Sequence, residues 1–162
     1  MSIAALAVWL MTAGGGLYLL TIWLIEFDHE FQSAAATRLP VPVISAHAVL
    51  AMSGLAVWAA YLITDKPGLA WTAALLLAFV AALGITLAAR WIGVYRGTAI
   101  PQAASGPRAA LAGGRVATAD LPVQLAAPPE RHFPLPVVIG HGILAVATII
   151  LVLLTALGGG GH

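Results

Sequence analysis

Two histidines stand in matching surroundings. Leu39 to Ala51 reads LPVPVISAHAVLA and Phe133 to Ala145 reads FPLPVVIGHGILA, sharing the pattern Pro-x-Pro-x-x-x-x-His-small-x-Leu-Ala. Proline belongs in the first turn of a helix, where its missing N–H is not needed, so Pro40/Pro42 and Pro134/Pro136 start two helices at one depth. His47 and His141 each follow the second proline by five residues, about 8 Å along a helix. Two level imidazoles on parallel helices can take both axial positions of a haem iron whose porphyrin supplies the other four. The plainer use of such residues is a hydrogen bond to a neighbouring helix that only holds the bundle together.

The neighbours suit a flat macrocycle. Ala46 and Ala48 flank one histidine and Gly140 and Gly142 the other, so the backbone there can come close without a Cβ in the way. Gly54, two turns beyond His47, and Gly16 and Gly84 in the other two apolar stretches would widen the same space. Arg90, counted from Tyr95 at the end of its stretch, falls near the histidines' depth and could hold a propionate by paired hydrogen bonds. Its alternative is to snorkel to the interface. Arg38, Arg96 and Arg131 flank the same surface, and Trp23, Trp91 and Tyr95 read as interfacial anchors. Glu26, Asp28, His29, Glu30 and His132 form a second group that could bind a divalent cation. The spacing matches no metal motif, and a solvated cluster pairing with loop arginines is the simpler account.

Positioning these residues falls to elements of an unusual composition. The 162 residues are 61% hydrophobic and 8% charged, where a soluble domain carries roughly a quarter charged. Four apolar stretches are long enough to cross a hydrocarbon core: Ile3–Ile25, Val41–Thr64, Leu69–Tyr95 and Leu135–Leu157. In lipid only a helix satisfies its own backbone, so the fold class expected is all-α: an integral membrane four-helix bundle, one transmembrane domain over 1–162. Asp65-Lys66-Pro67-Gly68 reads as the turn of an antiparallel hairpin. Residues 96–134 read as an extended loop rich in Ala, Pro and Gly, ordered by a partner if at all.

Gly16, Leu19 and Trp23 align with Gly84, Leu87 and Trp91, so the first and third helices match as well, though less closely. The chain thus reads as two related helical hairpins about an axis along the membrane normal. Arg38, Arg90, Arg96, Arg108, Arg115 and Arg131 fall on one side of the membrane against Lys66 on the other, which puts the arginines in the cytoplasm and both termini outside. The start has no basic segment and is too long for a signal-peptide core, so it is expected to remain as the first helix.

A net charge of +1 with scattered arginines excludes nucleic acid as a partner, and the lack of cysteine excludes disulfides, thiolate metal sites and covalent c-type haem. No phosphate loop, HExxH run or catalytic triad is present. The expectation is a small b-type cytochrome, or a haem-bearing subunit of a respiratory or redox complex in a bacterial inner membrane. His47 and His141 would ligate haem b, with Arg90, Gly140, Gly142, Gly16 and Gly84 around it. Quinone and other membrane or redox subunits would be partners in electron transfer, and enzymatic activity would belong to such a complex. A non-catalytic accessory subunit and a small transporter are the alternatives. Ser45, Ser53, Thr72 and Thr86 make a poor transport path.

Overall fold

The computed structural model describes residues 2–26, 39–97 and 129–158. They form four α-helices and one short 3-10 turn: α1 (Ser2–Glu26), α2 (Val41–Thr64), α3 (Pro67–Gly97), the turn Pro129–His132, and α4 (Leu135–Leu157). All four helices are long and apolar enough to cross a membrane. Each exceeds the expected stretch or matches it. α3 departs most, because Pro67 occupies its first turn and the expected four-residue reversal shrinks to Asp65 and Lys66. Asp65 closes α2 in the left-handed conformation (φ 52°), its N–H donating to the Tyr61 carbonyl at 2.8 Å.

The matched prolines do what their positions require. Pro40 and Pro134 are the N-caps of α2 and α4, with φ,ψ of −67°, 118° and −65°, 120°. The Pro40 carbonyl accepts from Val43 and Ile44 at 2.9 and 3.1 Å, and the Pro134 carbonyl accepts from Val137 and Val138 at 3.0 and 3.2 Å. Both helices therefore begin in the same way.

α2 packs most closely on α3 and α1 on α4, while α1 on α2 and α3 on α4 complete a ring. α1 and α3, and likewise α2 and α4, stand on the diagonals. The outer faces remain apolar, with Phe79, Ile143, Val49 and Ile85 all well exposed. A protein in water would not leave such a surface uncovered.

Interior positions recur every seven residues: Trp9, Gly16 and Trp23 on α1; His47, Gly54 and Tyr61 on α2; Leu77, Gly84 and Trp91 on α3; His141, Thr148 and Thr155 on α4. This spacing keeps one side of each helix on the bundle axis and stacks the interior in layers about 10 Å apart. The main apolar cluster fills the half toward the Asp65–Lys66 turn, where Ala5, Trp9, Trp58, Tyr61, Ala73 and Val152 meet. Trp58 is fully buried, 6.4 Å from the Trp9 ring and 5.0 Å from that of Tyr61, and its Nε1 donates to the Ser2 carbonyl.

The opposite end is closed by Trp23, Trp91 and the 3-10 turn. Trp23 and Trp91 are 4% and 7% exposed, so they are interior residues and not the interfacial anchors expected of them. Tyr95, stacked on Trp91 at 5.2 Å, is half exposed. Trp91 Nε1 donates to the Glu130 carbonyl at 3.1 Å, and the turn packs on both α1 and α3. This part of the 96–134 segment is thus ordered by the chain itself. Residues 98–128 lie outside the described residues.

Candidate functional site

His47 and His141 come together across the bundle from the diagonal helices α2 and α4. Their ring centres are 6.4 Å apart, with the planes inclined at 63°. Both rings are half-buried, in the layer between the Trp9–Trp58 cluster and the Trp23/Trp91 end.

Each imidazole is anchored to a neighbouring helix. His47 Nδ1 lies 3.0 Å from the Val80 carbonyl of α3, and His141 Nδ1 lies 2.9 Å from the Thr12 carbonyl of α1. A carbonyl only accepts, so in both contacts the proton sits on Nδ1 and the lone pair of a neutral ring is left on Nε2. Nitrogen in that state is a metal ligand, and a hydrogen bond on the other nitrogen fixes the ring's tautomer and orientation.

Gly16 and Gly84 belong to these contacts. A Cβ on Gly16 would stand 3.0 Å from His141 Cε1, and one on Gly84 would stand 3.1 Å from His47 Cε1. The two contacts are built alike, since the acceptors Thr12 and Val80 each precede the glycine by four residues. The weaker alignment of the first and third helices therefore marks equivalent places around the two histidines.

The other expected residues are placed differently. Gly140 and Gly142 flank His141, where an added Cβ would meet no atom within 4 Å. Gly54 belongs to the far half, where its Cβ would meet the Trp9 ring at 3.1 and 3.2 Å. Arg90 is exposed and is not level with the histidines. They face Gly84 and Val80 on α3, so Arg90 lies six residues further on, about 9 Å toward the end closed by Trp91. The expectation counted back from Tyr95, whereas the contact with α3 sets the depth.

Of the second group, Asp28, His29 and Glu30 lie outside the described residues. Glu26 Oε2 is 3.8 Å from His132 Nδ1, with both side chains about half exposed (44% and 50%). A pair in that setting contributes at most about 1 kcal/mol. No group of three or more His, Cys, Asp or Glu fit to hold a metal ion occurs among the described residues.

Sequence reasoning missed the backbone acceptors, Thr12 and Val80, because carbonyls carry no residue signature. It also missed a buried hydroxyl pair beside the site, Thr12 Oγ1 and Thr148 Oγ1, 3.1 Å apart. The seven-residue spacing from His141 to Thr148 would have pointed to it. No family model matches this chain, and no curated protein or solved structure matches it either. The site must be read from its own chemistry.

Proposed function

We propose that this chain is a small integral membrane b-type cytochrome, or the haem-bearing membrane subunit of a respiratory or redox complex. His47 and His141 would hold its iron. The observation that carries the reading is the pair of imidazoles itself, each with Nδ1 engaged by a carbonyl and the ring centres 6.4 Å apart. Two imidazoles with Nδ1 engaged by carbonyls are a donor set that suits a haem iron. The iron would supply one-electron chemistry, cycling between ferric and ferrous states.

The chain's own part is to hold both imidazoles in one tautomer, to surround them with apolar helices, and to leave glycine at the level of the rings on α1 and α3. Arg90, with Arg96 and Arg131, would serve propionates from the surface side, and Gly140 and Gly142 would border the macrocycle. The matched caps, histidines, glycines and acceptors support two related hairpins in parallel repeat. The arginine asymmetry supports a cytoplasmic position for the 96–134 segment, as in a bacterial inner membrane with both termini outside. Quinone and a redox partner would exchange electrons with the site.

The Nδ1 contacts favour one other reading, an accessory subunit whose histidines only tie helices together. A visible spectrum of protein purified from haem-replete cells separates the two. Haem ligation gives a Soret band and, after dithionite, sharp α and β bands that His47→Ala or His141→Ala each abolish. A colourless preparation refutes the cytochrome, and bands that survive either substitution refute the ligand assignment.

A further inference from the structure

In an α-helix the carbonyl of residue i already accepts the N–H of residue i+4. The side chain of residue i+4 leans toward the helix N-terminus and covers the turn that holds this carbonyl. A second donor as broad as an imidazole ring approaches the carbonyl's other lone pair most closely where that cover is absent. At Thr12 and Val80 the covering residue is Gly16 and Gly84, and at both places the second donor is an imidazole Nδ1.

We infer that Gly16 and Gly84 are positioning residues for the histidines, each uncovering the backbone carbonyl that holds one imidazole in the Nδ1–H tautomer with Nε2 available as a ligand. For the haem this rests on the function proposed above, while the tautomer is a property of the protein alone. The device occurs twice, independently, and it is crossed: Gly16 of the first hairpin serves His141 of the second, and Gly84 of the second serves His47 of the first. Close helix packing alone does not account for it. Gly14 and Gly15 are replaced by Ala82 and Leu83 in the matching stretch of α3, and only the glycine over the accepting carbonyl recurs.

Gly15 gives the control. A Cβ there would meet His141 Cβ and Nδ1 at 3.7 Å, an ordinary contact, where Gly16 would bring its Cβ to 3.0 Å from Cε1. The test is 15N spectroscopy of histidine-labelled protein in detergent without haem, the signals assigned with His47→Ala and His141→Ala. Both rings should show a protonated Nδ1. Gly16→Ala should change the tautomer signal of His141 alone, Gly84→Ala that of His47 alone, and Gly15→Ala neither. In haem-loaded protein the same two alanines should raise the midpoint potential, because the ligand loses the bond that makes it more basic, and Gly15→Ala should leave it unmoved.

Nε2–H tautomers in the wild-type protein overturn the inference even if a variant fails to fold. So do alanine variants that keep both Nδ1–H signals, or that disturb both rings alike. A colourless protein with the expected nitrogen signals overturns the cytochrome and leaves the positioning role standing.

Discussion

Replacing Gly54 by alanine sets two effects of similar size against each other. Glycine inside a helix is less favourable than alanine by about 1 kcal/mol, so the backbone gains. The new methyl, however, would stand 3.1 and 3.2 Å from two ring carbons of Trp9 and 3.5 Å from Leu76 Cβ. Trp9 has little room to retreat, being 3% exposed and packed against the fully buried Trp58, whose Nε1 is held by the Ser2 carbonyl. Overpacking of this kind costs about 1–3 kcal/mol, so Gly54→Ala should be destabilising by up to about 2 kcal/mol net. Gly14→Ala supplies the reference, since a Cβ there meets nothing within 4 Å. The backbone gain is common to both, and the difference between them, about 1–3 kcal/mol, isolates the contact with Trp9. Reversible unfolding in mixed dodecyl sulfate micelles measures that difference. Equal stability of the two variants would refute the seating of Trp9 against Gly54. The histidine signals should not respond, because Gly54 lies seven residues from His47, about 10 Å along α2.

Trp91→Phe keeps an aromatic ring beside Tyr95 but removes the donor to the Glu130 carbonyl. It should cost about 0.5–1.5 kcal/mol and speed deuterium uptake over Pro129–His132; unchanged uptake would show that another contact holds the turn. Orientation is open to a labelling test in this cysteine-free chain. A membrane-impermeant maleimide should label Ser2→Cys and Lys66→Cys from the outside but reach Arg115→Cys only after permeabilisation, and the reverse pattern would invert the topology.

The parts of this fold that depend on side-chain type were legible in the sequence. Runs of apolar residues gave four helices within a few residues, and Pro40, Pro42, Pro134 and Pro136 gave two helix starts and, through them, the level of His47 and His141. Their meeting followed from that level and from the shared pattern. What stayed hidden depends on how helices face one another. Arg90 was misplaced because helical rise gives a depth only relative to a chosen end, and α3 runs on to Gly97. Trp23 and Trp91 looked like interface residues by type, yet each follows an interior glycine by seven residues and so turns inward. The acceptors at Thr12 and Val80 are main-chain atoms, which no residue pattern reveals.

The crossed anchoring bears on how much of this chain is the smallest working unit. One hairpin, α1 with α2, owns the donor His47 and the acceptor Thr12, but in the fold these do not bond to each other. Each waits for its complement on α3 and α4. A lone hairpin would leave a polar ring without its partner in hydrocarbon, whereas two copies about a twofold axis would satisfy both at once, as in any self-complementary dimer interface. Joining the copies through the Asp65–Lys66 turn removes the need to find a partner and lets the halves differ. They already do, with Thr12 facing Thr148 on one side and Val80 and Gly54 in the corresponding places on the other.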